Sequence, residues 1–205
     1  MMLNEDAAPP TGALPVALLR DHLRLGSGFE VTEDAAEMTA LAGYLRAAIA
    51  TIEARTGKIL LSRRFNLRLG DWLDPEAQPL PLAPVATVDA VEEVDAAGQV
   101  QALEAGRYRL VPDAHRPLLV PQGAFLPAVP MGGHVVIRFQ AGFGESWDKI
   151  PADLAQAVLL LAARCYEDRN FEGSEGAMPF GVSALIERWR SVRLLGGRRA
   201  PRRRG

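Results

Sequence analysis

One cysteine and no long apolar run set the first limits on this 205-residue chain. Cys165 has no second cysteine with which to form a disulfide, and its apolar neighbours predict a small core residue rather than a reactive thiol. No run of 18 apolar residues is present, and the first residues, MMLNEDAAPP, are acidic rather than basic. The sequence therefore predicts neither a membrane span nor a signal peptide, and it favours a protein that is made and first kept in the cytoplasm.

Signatures of catalysis and of metal or phosphate binding are also missing. No serine lies in a G-x-S-x-G turn, and Gly142-Phe143-Gly144 is followed by Glu145 instead of the Lys-Ser/Thr pair of a phosphate-binding loop. No second His, Cys or acidic residue lies at metal-ligand spacing from any of the three histidines, His22, His115 and His134. The sequence predicts no cofactor, no metal site and no enzyme; only a site assembled in space from distant residues would escape this test.

The end of the chain lacks acidic residues altogether. Its last 18 residues contain eight arginines and no Asp or Glu. Residues 1–187 hold the other 15 of the 23 basic residues and all 25 acidic ones, so a body of formal charge −10 carries a tail of +8. The final segment, GGRRAPRRRG, has no large apolar residue and cannot bury enough surface to order itself. Such polarised charge points to a binding partner and says little about the fold.

The first part of this tail has the composition of a binding segment. One tryptophan and two leucines lie among its arginines, so apolar anchors alternate with groups that bind carboxylates or phosphates. An acidic protein surface and nucleic acid both fit this pattern, and a solvated end without a partner is the third interpretation. The predicted partner-binding residues are Arg188, Trp189, Arg190, Arg193, Leu194, Leu195, Arg198, Arg199, Arg202, Arg203 and Arg204.

Apolar spacing predicts helices towards both ends of the chain and strands between them. The clearest helix follows a cap at Thr32 or Asp34, ends at Gly57, and has an apolar stripe of Met38, Leu41, Leu45, Ile49 and Ile52. Between residues 59 and 140 the apolar period changes to two, with a hairpin turn at Asp95-Ala-Ala-Gly98. Other helices are predicted near residues 15–25, 151–167 and 181–195.

These segments predict an α+β fold: a four-helix body, with two helices at each end of the chain, and an inserted small antiparallel β-sheet and hairpin region. The chain is expected to divide into a flexible lead at 1–14, a body at 15–187 and an Arg-rich, partner-binding tail at 188–205. Within the body, helices are expected at 15–57 and 150–187, and the β insertion at 58–149.

Several short segments carry a more specific signal through their order along the chain. They are Leu18–Leu25, Ile52–Gly57, Pro81–Val85, Ile137–Gly144, Ile150–Ala157, Leu160–Arg169 and Pro179–Ile186. In this order they resemble the head–tail connector (adaptor) proteins of tailed phages, such as the neck of a siphophage-like particle or of a gene transfer agent. The likeness covers residues 15–192, and it departs at the long 112–133 segment and at the arginine tail.

The resemblance implies a structural subunit of a ring, expected to hold twelve copies, beneath the portal of a phage-like particle. The implied partners are the portal protein, which the tail at Arg188–Arg204 would contact, the next neck (stopper or head-completion) protein, and other copies of this chain. DNA would pass through the channel without specific binding, and an acidic body favours this because it repels the phosphate backbone. The implied location is the neck of a virion or virus-like particle, assembled in the host bacterial cytoplasm, with no membrane partner.

A nucleic-acid-binding module that uses the arginine tail is the alternative function. It predicts strong DNA affinity in the isolated chain, falling steeply with added salt. The connector hypothesis predicts little such affinity and a specific protein partner.

Overall fold

The computed structural model of the chain describes residues 1–25, 35–168 and 178–190. Its helices are α1 (Val16–His22), α2 (Ala35–Thr56), α3 (Ala152–Glu167) and α4 (Phe180–Ile186). Its strands are β1 (Met2–Glu5), β2 (Arg63–Leu69), β3 (Gln78–Pro79), β4 (Val85–Val94), β5 (Val100–Ala102), β6 (Tyr108–Val111), β7 (Leu118–Pro121) and β8 (His134–Ala141).

The long helix α2 forms where the apolar stripe predicts it. Leu41, Leu45, Ile49 and Ile52 are buried because their three- and four-residue spacing places them on one face. Gly57 follows the last turn with a φ of +67°, a left-handed conformation that glycine adopts without steric cost. The predicted caps at Thr32 and Asp34 lie outside the described residues.

The strands form two antiparallel sheets. The larger sheet has the order β1-β2-β8-β4-β5, and the smaller one has the order β3-β7-β6. The inner face of the larger sheet carries a stacked pair, Phe65 opposite Phe139, with ring centroids 5.8 Å apart. Leu119 and Tyr108 of the smaller sheet belong to the same buried cluster, so the two sheets share a core.

A second core lies among the helices. Leu19, Leu45, Leu154 and Val182, one from each helix, belong to one buried cluster. The two cores meet where the chain leaves α2, because Leu60 belongs to the helical core while the preceding residue, Ile59, belongs to the sheet core. None of the helices in the described part of the chain is long and apolar enough to cross a membrane.

The predicted architecture is wrong, although the chain is α+β. The helices do not form one pair at each end of the chain: α1 packs on both α2 and α3, and α2 packs on α3. The β region is not a small insertion, because the described residues form eight strands in two sheets. Its first strand, β1, precedes every helix and lies within residues 1–14, which were predicted to be a flexible lead. The predicted division into a flexible lead, helical ends and a β insertion is wrong because sheet pairing joins residues that are far apart in sequence. Apolar periodicity does not detect such pairing.

A buried ion pair connects the helical and sheet regions. Glu53 in the last turns of α2 accepts hydrogen bonds from Arg63, the first residue of β2, at 2.6 and 3.0 Å. One of its oxygens also accepts a hydrogen bond from the backbone N–H of Leu60 at 2.8 Å. The other side of the Arg63 guanidinium lies 2.7 Å from Glu5 of β1. Arg63 therefore ties together α2, β2 and the N-terminal strand.

The C-terminal segment as a candidate protein interface

The start of the predicted partner-binding segment is fixed to the body. Helix α4 buries Val182 and Ile186 in the helical core, and a short 3-10 turn, Glu187–Trp189, follows it directly. Three of the predicted binding residues, Arg188, Trp189 and Arg190, are described. The remaining eight lie outside the described residues, and they are Arg193, Leu194, Leu195, Arg198, Arg199, Arg202, Arg203 and Arg204.

Trp189 makes the most extensive contacts of the three described residues. Its indole Nε1 donates a hydrogen bond to the carboxylate Oδ2 of Asp153 at 2.6 Å, in the first turn of α3. Its ring meets Phe143 edge to face, with centroids 5.5 Å apart and an interplanar angle of 83°. On another side the ring of His115 lies 6.5 Å away. Trp189 is partly buried, and both its Nε1–H group and its ring make contacts within the chain.

Arg188 shares the same carboxylate. Its Nε lies 2.7 Å from Oδ2 of Asp153, and its guanidinium carbon lies 4.8 Å from the centroid of the Trp189 ring. The Arg188 side chain is nevertheless 70% exposed, so water screens this ion pair. Arg190 pairs with Glu187 on the open surface at 3.1 Å.

Asp153 is the electrostatic centre of these contacts. Burial alone would raise the pKa of its carboxyl, but the hydrogen bonds from Trp189 and Arg188 outweigh that effect and hold the pKa below its usual value. Its second oxygen accepts a hydrogen bond from the backbone N–H of Leu154 at 3.0 Å. The carboxylate therefore stays charged at neutral pH, where it can bind both donors.

Sequence reasoning missed three residues of this arrangement. They are Asp153, Phe143 and His115, none of which the sequence assigns to a protein interface. No local pattern links them to Trp189, because they reach it from three different parts of the chain. The only available signal was a tryptophan between two arginines, which indicates a contact but not its position.

The other motifs of the sequence have structural roles. Gly142 begins the turn between β8 and the start of α3. Asp95 closes the hairpin by accepting hydrogen bonds from the backbone N–H groups of Ala97 and Gln99. Asp168 pairs with Arg164 at 2.6 Å at the end of α3. Among the residues that the structure describes, no three His, Cys, Asp or Glu side chains are grouped to hold a metal ion.

Comparison with solved structures shows which proteins the chain is similar to. The neck of an empty GTA particle with C6 symmetry contains a chain of 60% identity and TM-score 0.88, with 97% of this chain and all of that chain covered. The neck of a native GTA particle with C12 symmetry contains one of 56% identity and TM-score 0.82, with the same coverage. The virion of a native gene transfer agent (GTA) particle contains one of 58% identity and TM-score 0.84, covering 96% of this chain and 99% of that chain.

These likenesses extend over nearly the whole chain at more than half identity, and they define a structural protein of the neck of a phage-like particle. The chain belongs to the family of gene transfer agent neck proteins. This confirms the resemblance to neck proteins that the sequence predicted. No family model matches the chain, and no curated protein matches it.

Proposed function

We propose that this protein is the adaptor (head–tail connector) subunit of a gene transfer agent or phage-like neck, where it lies beneath the portal and joins the capsid to the tail. The observation that carries the proposal is the 60% identity, over 97% of this chain, to a chain in the neck of a GTA particle. The arginine tail supplies the chemistry for contact with the portal, since guanidinium groups bind carboxylates in paired hydrogen bonds. The protein's role is structural rather than enzymatic.

The subunit is proposed to work as a ring of twelve copies. The similar necks have C12 and C6 symmetry, and either symmetry accommodates twelve copies of one chain. With eight arginines at the end of each chain, such a ring would carry on the order of a hundred positive charges in its tails. Many weak contacts made together hold a particle more firmly than one contact made alone.

The remaining charge suits a DNA channel. Residues 1–187 carry a formal charge of −10, which disfavours adhesion of DNA as it passes through the ring. The surface away from the portal is proposed to receive the next neck protein. The ring would function in the virion or particle neck, after assembly in the host bacterial cytoplasm.

The test is co-purification with the cognate portal protein. We expect the full chain to bind the portal and a chain ending at Arg190 to fail while it keeps the thermal unfolding midpoint of the full chain, because every residue of the described body is still present. A full-length variant with glutamine at positions 193, 198, 199, 202, 203 and 204 keeps the length and removes the charge, and it should fail as well.

Two outcomes would contradict the proposal. Equal portal binding by the shortened chain would remove the tail from the interface. Absence of portal binding together with salt-sensitive DNA capture by the full chain would favour the nucleic-acid-binding module, whose affinity falls steeply between about 50 and 200 mM salt.

A further inference from the structure

Three parts of the chain contact the first residues of the arginine tail, Arg188 and Trp189. Asp153 comes from the first turn of α3, Phe143 from the junction between β8 and α3, and His115 from the loop between β6 and β7. All three contact Trp189, and Asp153 also binds Arg188. His115 belongs to the 112–133 segment, where the chain departs from the resemblance on which its function was predicted.

We infer that Asp153 is a positioning residue which, together with Phe143 and His115, forms a tail seat that fixes the point where the arginine tail leaves the body. The seat itself is defined by contacts within the chain. Its contribution to partner binding rests on the proposed function, in which the tail binds the portal.

The tail seat divides the predicted binding segment into two parts. Trp189 uses its only hydrogen-bond donor on Asp153 and an edge-to-face contact on Phe143, so it is a body residue that anchors the segment. Arg188 uses its Nε on the same carboxylate and stacks on the indole. Trp189 therefore anchors the predicted binding segment to the body, whereas the Arg188 side chain is still 70% exposed.

The geometry indicates how much freedom the tail seat removes. Val182 and Ile186 hold α4 in the core independently of the seat. Without the seat, Glu187–Arg190 would be released, and four residues reach at most about 14 Å when extended. If the first residues of the tail can move over this distance, the effective concentration of the tail at a fixed partner site is lower.

The test compares the full chain with two seat variants and one control. Asp153→Asn keeps the size of the side chain and removes its charge, and Trp189→Phe keeps an aromatic ring and removes the Nε1 donor. Asp168→Asn is the matched control, because Asp168 pairs with Arg164 at 2.6 Å at the opposite end of the same helix. Two properties are measured for each chain: the rate of tryptic cleavage after Arg188 relative to cleavage after Arg193, by mass spectrometry, and the affinity for the cognate portal.

We expect cleavage after Arg188 to accelerate up to about tenfold in Asp153→Asn, because the amide oxygen still accepts from Trp189 but the hydrogen bonds from Trp189 and Arg188 lose their charge assistance, which favours local opening. Trp189→Phe should show a smaller increase, and both seat variants should bind the portal several-fold more weakly. Asp168→Asn should change neither property.

The two measurements test the existence of the tail seat and the proposed binding of the tail to the portal independently of each other. Cleavage at the original rate in both seat variants would overturn the tail seat. Faster cleavage with unchanged portal affinity would overturn the positioning role. If the chain ending at Arg190 binds the portal as well as the full chain does, the proposed function fails, whereas the cleavage rates still decide whether the seat exists.

Discussion

We expect Arg63→Met to lower the free energy of unfolding by about 3 kcal/mol, because removing one partner of a buried ion pair leaves the other charge uncompensated. The Arg63 and Glu53 side chains are only 10% and 8% exposed, and their closest atoms are 2.6 Å apart. Burial alone would lower the pKa of the Arg63 guanidinium, but hydrogen bonds with Glu53 and Glu5 raise it, so the group is charged in the folded chain.

The size of the effect follows from what each carboxylate retains. Breaking such pairs costs about 3–5 kcal/mol, and the lower end applies because Glu53 keeps its hydrogen bond from the Leu60 N–H. Glu5 is 36% exposed, so Glu5→Gln should cost less than about 1 kcal/mol. In the double variant Arg63→Met/Glu53→Gln, the amide oxygen still accepts from Leu60 and no buried charge remains. Its cost should therefore fall below the sum of the two single costs by about 2 kcal/mol.

The assay is urea denaturation followed by circular dichroism, at a concentration where sedimentation shows a monomer. The slope of the unfolding free energy against urea should be unchanged in all variants, so that midpoints report stability alone. A cost below about 1 kcal/mol for Arg63→Met would refute the reasoning, and so would additive costs in the double variant. Either result would mean that the ion pair does not connect the two cores energetically.

The parts of the fold that were predictable are those whose signal is local. The stripe from Leu41 to Ile52 and the stop at Gly57 lie within a single helix, so the sequence alone indicates both. Asp95 and Gly98 likewise specify the hairpin turn through their own side chain and backbone conformation.

The missed parts depend on partners that are distant in sequence. Strand β1 is almost entirely exposed and shows no alternation; it is a strand because it pairs with β2 about sixty residues later. Strand β7 ends in a proline-rich stretch, and its pairing with β6 defines it. The same limit applied to the candidate site: the arginines and Trp189 indicated a contact, but Asp153 is 36 positions away and only the fold shows that they meet.

Gly142→Ala tests how closely the junction between the two cores is packed, and Gly43→Ala in α2 is its control. Gly142 has a φ of +136°, and a Cβ there would lie 2.4 Å from Cα of Ser62, so Gly142→Ala should lower stability by about 2 kcal/mol or more. Gly43→Ala, at an open position in α2, should raise stability by about 0.5–1 kcal/mol. Thermal unfolding measures the stability of both variants, and a similar loss of stability in the two would contradict the packing argument. Lys58 is 1% exposed, and burial lowers the pKa of its ammonium more than Asp113 raises it, so Lys58→Met should raise the unfolding free energy at pH 7 by about 1 kcal/mol. As the pH rises from this lowered folded-state pKa towards the unfolded value of about 10.4, the original chain gains stability and the advantage of the variant should shrink, which urea denaturation at neutral and alkaline pH measures. A variant that is less stable than the original chain at pH 7 would show that the surroundings of Lys58 favour its charge.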